Sequence, residues 1–425
     1  MKKKITYKIK EKNKFKISLV NYLNNYKRFC FLDSNRISKN NSFEFFCALC
    51  FNEKKSKSIE NLSDLNKIVE SKKWIFGHIS YDQKNSIENL SSKNYDGILF
   101  PDVNFFVPDL LIKYSENKLS FLFDSISVDY VKKIFFDICQ TPPTIKSIQN
   151  LDVNGRVSKD NYIKNINKIK EHLQNGDIYE MNYCQEFYVD KVEINPCNLF
   201  NNLNKESKAP FSALYRLDDK FCICASPERF LKKTGDKILS QPIKGTIKRN
   251  LNKEIDSNNK IKLKNSSKDF SENVMIVDLV RNDLSKVSKK GSVKVDELAQ
   301  LYSYTNVHHL ISTISCQFDK ENSFQDLINA TFPMGSMTGA PKLKSMELIE
   351  KFEDTKRGLF SGSIGYISPN FDFDFNVVIR SILYNKKNKY LSFTTGGAIT
   401  IESNPEDEYR ECYDKAKLIF KVLGH

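Results

Sequence analysis

Residues 226–249 read SPERFLKKTGDKILSQPIKGTIKR, and the strands of the chain are expected to assemble around this stretch. Its Thr234-Gly235-Asp236 segment is typical of a tight turn, and a returning strand begins at Lys237. The pattern predicts a β-hairpin, which would bring Glu228 and Lys244 to neighbouring positions on one sheet.

Lys244 is bracketed by Pro242, which stiffens the backbone, and by Gly245, which allows a close backbone approach. A lysine held in this way is a candidate nucleophile, since loss of solvent would favour its neutral amine. The alternative is a solvated lysine in a loop, which is the common situation for this residue type.

The composition favours a folded chain with a large core. It has 425 residues, of which 40% are hydrophobic, enough for two or three ordinary domains or one large intertwined one. The net charge of +14 is spread along the chain and comes mostly from lysine. This pattern favours a generally basic surface, able to steer a small anionic substrate, over a nucleic-acid site.

The ten cysteines are scattered, and the Cys47–Cys50 pair has no second pair or histidine partner, so no zinc site is expected. Free buried thiols in a reducing compartment are the favoured interpretation. The basic start, MKKKITYKIKEK, is not followed by the apolar run of a signal peptide, and no stretch resembles a membrane helix. We therefore expect a soluble, cytoplasmic protein with no membrane partner.

Helices are clearest at 158–175 and 405–422. Ser158 can cap the first, whose apolar residues recur at helical spacing, and Asn404-Pro405 opens the second. Residues 1–110 are expected to be mixed strand and loop, and 248–268 a polar loop. Further strands are predicted at 178–189, 310–318, 362–368, 377–383 and 393–400.

Two helices carry pairs of acids one turn apart. Asp269 and Glu272 form one pair, and Glu408 and Glu411 form the other. Clusters that offer only oxygen suit Mg²⁺, whose remaining ligands are water and substrate oxygens. Solvated helix faces explain the two pairs equally well.

Two features could bind an anion. Arg380 lies in an apolar stretch and needs an acid or a substrate carboxylate as its partner. Gly396-Gly397-Ala398 would let backbone amides approach an anion closely.

Five ordered motifs resemble the signatures of chorismate-utilising enzymes. They are SENVMIVDLVRNDLSKV (271–287), VHHLISTI (307–314), ATFPMGSMTGAPKLKSMELIE (330–350), SGSIGYIS (361–368) and TTGGAITIESNPEDEYRECYDKA (394–416). The resemblance is strong over about 155–420 and weaker at FLDSN (31–35) and WIFGHISYDQK (74–84). It implies an α+β fold of two large packed antiparallel sheets flanked by helices. An N-terminal region (1–150) would be interwoven with a catalytic region (151–425).

The residue type at the position of Lys244 differs between branches of this family. Members that form anthranilate or isochorismate usually have alanine there, whereas lysine resembles the branch that aminates chorismate to 4-amino-4-deoxychorismate for folate synthesis. The resemblance implies that Lys244 attacks C2 of chorismate while Glu228 protonates the departing 4-hydroxyl. Ammonia then adds at C4 and expels the lysine. Anthranilate formation is the alternative.

The same resemblance assigns the other site residues. Glu272 and Glu411 match Mg²⁺ ligands, and Asp269 and Glu408 match acids that hold metal-bound water. Residues that match substrate contacts are His309, Ser336, Tyr366, Arg380, Gly396, Gly397 and Ala398. A tryptophan pocket of relatives, which here could be regulatory, structural or absent, is matched by Ser34, Pro210, Phe211 and Ser212.

The chain ends at His425 without room for a glutaminase domain, so ammonia is expected to come from a separate glutamine amidotransferase subunit. The sequence departs from the usual family pattern at three positions. Glu180 stands where glutamine is common, Met334 where glycine is common, and Cys412 where threonine is common.

Overall fold

The computed structural model describes residues 1–35, 43–51, 58–148 and 150–425. The α-helices of these residues are α1 Lys12–Tyr22, α2 Leu62–Glu70, α3 Lys84–Ile87, α4 Val128–Gln140, α5 Lys159–Gln174, α6 Pro196–Ser207, α7 Lys253–Lys264, α8 Ser267–Ser285, α9 Phe324–Thr331, α10 Lys342–Phe352 and α11 Pro405–Val422. Short 3-10 helices span Leu23–Asn25, Tyr81–Gln83 and Gly335–Met337.

The strands, in chain order, are β1 Lys3–Tyr7, β2 Arg28–Asp33, β3 Phe45–Cys50, β4 Ile75–Ile79, β5 Val103–Phe106, β6 Leu110–Ser115, β7 Lys118–Phe123, β8 Asn154–Gly155, β9 Glu180–Val189, β10 Phe211–Leu217, β11 Lys220–Ser226, β12 Arg229–Thr234, β13 Lys237–Gln241, β14 Ile243–Lys248, β15 Lys294–Ser303, β16 Val307–Gln317, β17 Gly339–Ala340, β18 Ser363–Ile367, β19 Phe373–Asn376, β20 Ser381–Asn385 and β21 Tyr390–Ile399.

These strands form two antiparallel sheets. The first has twelve strands in the order β1-β7-β6-β3-β2-β10-β11-β20-β21-β9-β17, with β8 also paired to β9. The second has nine in the order β14-β16-β13-β12-β19-β18-β4-β5, with β15 also paired to β16. Both sheets combine strands from before and after residue 150.

The central strands of the first sheet are buried on both faces, which explains their unbroken apolar sequences. In β3, Phe46, Ala48 and Cys50 belong to one core cluster and Phe45, Cys47 and Leu49 to another. Because side chains alternate along a strand, each face of β3 packs into a different core. Cys47 and Cys50 therefore lie on opposite faces.

The first core lies between the sheets. Phe46 of the first sheet contacts Phe76 of the second edge to face, with their ring centroids 5.1 Å apart. The second core lies under the helices that cover the outer face of the first sheet, and it includes Leu19 of α1, Val131 of α4 and Ile419 of α11. The predicted α+β fold of two packed antiparallel sheets with outer helices is confirmed.

Two helices begin where the sequence predicted. The side chain of Ser158 accepts a hydrogen bond from the backbone N–H of Asn161 at the start of α5. Asn404 caps α11 by accepting from the N–H groups of Glu406 and Asp407. A cap of this type stabilises a helix by about 1 kcal/mol. None of the helices in the described ranges is both long and apolar enough to cross a membrane.

Other local predictions were wrong. Residues 1–110 contain α1 and α2, and the predicted loop at 248–268 contains α7. The predicted strand at 377–383 is interrupted, because Arg380 has a φ of 53° and β20 begins only after it. A non-glycine residue with positive φ ends the extended conformation.

Candidate active site

Lys244 lies at a bulge in β14. The hairpin predicted from the sequence is present as β12 and β13, which pair Arg229 with Gln241. Lys244 belongs to the next strand, whose pairing with β16 shifts in register between Ile243 and Thr246. Gly245 has a φ of 85° within this irregularity. The bulge releases Lys244 from regular pairing and aims its side chain into the site.

Helix α8 packs directly against this bulge. Asn273 is buried, and its Nδ2 donates a 2.9 Å hydrogen bond to the backbone carbonyl of Lys244. Its Oδ1 accepts a 3.1 Å bond from the hydroxyl of Ser312 on β16. A Cβ added at Gly245 would lie 3.0 Å from an Asp269 carboxyl oxygen. The glycine therefore allows close contact between α8 and β14.

Carboxylates surround the amine of Lys244. Its Nζ lies 2.5 Å from Oε1 of Glu180 and 4.0 Å from Oε2 of Glu272. Burial lowers the pKa of Lys244, but the charges of Glu180, Glu272 and Glu228 outweigh that effect and raise the pKa above its ordinary value. The expectation of a neutral amine is wrong for this resting arrangement, because desolvation by itself does not determine the charge.

Glu228 lies between β11 and β12, where it is buried and accepts a 2.6 Å hydrogen bond from Oγ of Ser336. Burial raises the pKa of Glu228 to about 7, against the lowering effects of Ser336 and Lys244. A carboxyl group with this pKa can donate a proton near neutral pH.

The two acid pairs predicted on separate helices are linked by a lysine. Nζ of Lys268 lies 3.2 Å from Oε1 of Glu408 and 4.0 Å from Oε1 of Glu272. Ser403 also donates a 2.7 Å hydrogen bond to Oε1 of Glu408. Burial, with Lys244 opposing it, raises the pKa of Glu272 to about 7. The acids of α8 and α11 therefore share one cation.

Glu411 completes this group beside the glycine segment of β21. Its Oε1 lies 2.5 Å from Nζ of Lys415, whose charge lowers the pKa of Glu411. A Cβ added at Gly397 would lie 3.1 Å from Oε2 of Glu408 and 3.2 Å from Oε1 of Glu411. The missing side chain at Gly397 therefore leaves space in front of both carboxylates.

The acids Asp269, Glu272, Glu408 and Glu411 have the donor chemistry that a hard divalent cation prefers. Their donors are all oxygen, ammonium groups already lie between them, and Gly397 leaves the space beside them open. Within the described ranges, no group of three or more His, Cys, Asp or Glu side chains is arranged so that it could hold a metal ion by itself. A divalent cation here would need water and substrate oxygens for most of its ligands, and Mg²⁺ binding stays a prediction.

His309 and Arg380 border the same region. Nδ1 of His309 lies 2.8 Å from Oγ1 of Thr246, and burial, aided by the charge of Arg380, lowers the pKa of His309 to about 3. Arg380 donates a hydrogen bond to the carbonyl of Lys415, and burial lowers its pKa to about 10. The arrangement thus combines a neutral imidazole with a half-buried cation.

Tyr366 is placed differently. It lies on β18, which β12 and β19 separate from β13. Its ring packs with those of Phe46, Trp74 and Phe76 at centroid distances of 5.7–5.8 Å. Its assignment to a substrate carboxylate stays a prediction.

The structure brings the residues of the predicted tryptophan pocket together. Ser212 pairs with Asp33 across β10 and β2, next to Ser34. Asn35 bonds the carbonyl of Ala209 and Oγ of Ser212, while the Phe211 ring stacks under Arg229. Pro210 precedes β10 in this loop. Tryptophan binding stays a prediction.

Sequence reasoning did not assign Glu180, Lys268 or Asn273 to the site. The sequence marks Glu180 only as a carboxylate at a position where glutamine is common. Lys268 lies within a lysine-rich segment that gave no sign of its partners. Asn273 acts on a backbone carbonyl, and such a contact leaves no spacing pattern in the sequence.

Comparison with known proteins assigns this chain to a family. Residues 25–421 match the chorismate binding enzyme family. The chain is 35% identical over 349 residues to aminodeoxychorismate synthase component 1 of Escherichia coli K12, covering 82% of this chain and 76% of that protein. It is 30% identical over 369 residues to anthranilate synthase component 1 of Acetivibrio thermocellus, covering 82% and 74%.

A solved structure shows the same fold. Anthranilate synthase component I from Streptococcus pneumoniae TIGR4 superposes with a TM-score of 0.75, covering 92% of each chain at 23% identity. Because the family match spans nearly the whole chain and relatives above 30% identity align over most of it, this protein belongs to the chorismate binding enzymes.

Proposed function

We propose that this enzyme converts chorismate and ammonia to 4-amino-4-deoxychorismate, the precursor of para-aminobenzoate in folate synthesis. The observation that carries the proposal is a buried lysine amine, Lys244, beside a carboxyl group, Glu228, whose pKa is about 7. The similarity to aminodeoxychorismate synthase component 1 supports it.

Glu228 acts as the general acid. An allylic hydroxyl leaves poorly unless it is protonated, and Glu228 holds a proton near neutral pH in a site sheltered from water. Ser336 fixes the carboxyl group through its 2.6 Å hydrogen bond. The proton passes from Glu228 to the 4-hydroxyl, which departs as water.

Lys244 acts as the nucleophile. Its lone pair forms a bond to C2, the two ring double bonds shift towards C4, and the C4–O bond breaks. Ammonia then adds at C4, the double bonds shift back, and the C2–N bond breaks to release Lys244. The ammonium formed at C4 returns a proton to Glu228.

Glu272 and Glu411 would hold Mg²⁺, with Asp269 and Glu408 beside them to hold metal-bound water. The ion would supply positive charge for the ring carboxylate of chorismate. Arg380 offers a half-buried cation for a carboxylate, and His309, being neutral, can donate one N–H without adding charge. The backbone of Gly396–Ala398 lies beside the metal-binding acids and completes the substrate contacts.

Ammonia would come from a separate glutamine amidotransferase subunit, and the complex would work in the cytoplasm. The first experiment incubates the purified chain with chorismate, Mg²⁺ and ammonium chloride and separates the products by chromatography. 4-Amino-4-deoxychorismate is the expected product. Anthranilate as the main product would overturn the proposal in favour of anthranilate synthesis.

A further inference from the structure

The nucleophile proposed above needs a proton acceptor. Nζ of Lys244 donates a 2.5 Å hydrogen bond to a carboxylate oxygen of Glu180, the geometry of a charge-assisted pair in which the amine is an ammonium without a lone pair to attack carbon. One proton must leave Nζ before the C2–N bond forms. The acceptor has to be within hydrogen-bond reach of this nitrogen.

Glu180 meets that requirement. Its Oε1 lies 2.5 Å from Nζ of Lys244, and the residue has no exposed surface. Its second oxygen, Oε2, is buried and has no hydrogen-bond partner among the described residues. Glu180 thus has one oxygen that accepts a hydrogen bond from the amine and a second oxygen that accepts none from the described residues.

The backbone around Glu180 is firmly held. Glu180 is the first residue of β9 and pairs with Ala340 of β17. The preceding N–H, of Tyr179, donates a 2.7 Å hydrogen bond to the carbonyl of Ala340, and Ser345 donates one to the carbonyl of Glu180. Its carboxylate is therefore presented to Lys244 from a fixed strand.

The other two carboxyl groups near Lys244 are engaged elsewhere. Glu272 is 4.0 Å away, beyond hydrogen-bond distance, and is the proposed metal ligand. Glu228 must keep its own proton for the 4-hydroxyl. Glu180 is the remaining acceptor.

We propose that Glu180 takes the proton from Lys244 when chorismate is bound and returns it when the lysine is released. In the first transfer Lys244 becomes a neutral amine and Glu180 a carboxylic acid, and the lone pair then forms the bond to C2. When ammonia expels the lysine, Glu180 gives the proton back to Nζ. The pair ends the cycle as it began, with no net change in charge.

The test measures the Lys244 adduct directly and rests on the proposed function. Enzyme is mixed with chorismate and Mg²⁺ without ammonia, quenched at intervals, and the adduct is followed by intact-protein mass. For Glu180→Gln we expect adduct formation about 10²-fold slower at saturating chorismate. The dissociation constant for chorismate, measured by calorimetry, should be unchanged. Glu180→Asp, which restores an acceptor at a longer reach, should recover part of the rate.

Glu186→Gln is the matched control. Glu186 is a buried carboxylate on the same strand, paired with Arg156 at 2.9 Å, and six residues from Glu180 along β9. This substitution should leave the adduct rate at the wild-type value. A general effect of neutralising a buried acid in β9 would slow both variants, and that result would overturn the inference.

The remaining outcomes separate this inference from the proposed function. A wild-type adduct rate in Glu180→Gln excludes Glu180 as the acceptor, and so does loss of chorismate binding with a normal rate at saturation. If the wild-type chain aminates chorismate without any adduct on Lys244, the inference fails while the proposed product stands. If it forms no 4-amino-4-deoxychorismate from chorismate and ammonium, the proposed function itself has failed.

Discussion

The amide of Asn273 holds the backbone carbonyl of Lys244 at 2.9 Å, so the proposed nucleophile is fixed to α8, the helix that also carries Glu272. Asn273 is buried and also bonds the hydroxyl of Ser312. Asn273 therefore helps to set the relative positions of Lys244 and Glu272 through a bond to the backbone of Lys244.

Asn273→Ala is expected to lower the turnover number by about 10²-fold, because a small displacement of a reacting group has an effect of this size. Its free energy of unfolding should fall by about 1–3 kcal/mol, as for other buried polar groups left without partners. Steady-state kinetics and urea unfolding measure the two effects. Asn259→Ala is the control: Asn259 donates an equally short 2.9 Å bond to the Lys248 carbonyl of the same strand, but from an exposed position. Equal losses in both variants would show that Asn273 has no special role.

Lys244→Ala should remain folded and bind chorismate, yet lose nearly all formation of 4-amino-4-deoxychorismate, because a methyl group cannot attack carbon. With ammonia withheld, a substrate-derived adduct should be seen by mass on the wild-type chain and not on the variant. Residual product should shift towards the types made by family members with alanine here. Amination at the unmodified rate would exclude Lys244 as the nucleophile.

Glu228 should impose an alkaline limit on turnover. A general acid must be protonated, and its pKa of about 7 means that activity falls as pH rises through that value. The same raised pKa stabilises the fold at low pH, and that stability is lost as pH rises from the ordinary value of 4.5 through about 7.

The Ser336→Ala variant distinguishes the titration of Glu228 from that of Glu272, because the pKa of Glu272 is also about 7. The Ser336 hydrogen bond lowers the pKa of Glu228, so its removal should move the alkaline limb to higher pH. A pH profile of turnover measures the shift. If the alkaline limb of the pH profile does not shift in this variant, a group other than Glu228 is responsible for it.

Removal of divalent cations should abolish turnover, and added Mg²⁺ should restore it. Glu411→Gln should keep the fold and lose most activity, because an amide oxygen is a poorer ligand for a hard cation. Glu406→Gln, on the same helix but in an exposed ion pair with Lys159, should behave as wild type. Full activity in excess chelator would identify Glu272 and Glu411 as ordinary carboxylates.

The purified chain should consume chorismate with ammonium salts but not with glutamine. Addition of a glutamine amidotransferase subunit should confer glutamine use. Product chromatography with each nitrogen source tests this. Glutamine-dependent turnover by the chain without a partner would contradict the expectation.

The parts of the fold that could be predicted are those encoded locally. Helix α11 has an asparagine cap, a proline and three acids at its start, and both of its predicted ends were right. Helix α7 was missed because Asp256 and Leu263 are its buried residues, which is too few for a periodic pattern. Arg380 was placed in a strand because its apolar neighbours hide a backbone conformation that depends on tertiary contacts.

The same distinction between local and distant information applies to the candidate site. The acids of α8 and α11 could be predicted from the sequence, since residues one turn apart on a helix share a face. The charge of Lys244 could not be predicted, because it depends on Glu180, which lies 64 positions earlier in the chain. Contacts between distant segments follow from strand order, and a single sequence does not display it.

The interleaving of early and late strands has a consequence for any shortened form of the protein. Within the first sheet β2 pairs with β10, and within the second β4 pairs with β18. Removing residues 1–150 would strip both partners away and uncover the hydrogen-bonding edges of β10 and β18. Such bare edges recruit other chains. A fragment of residues 151–425 should therefore aggregate, even though it retains every proposed catalytic residue.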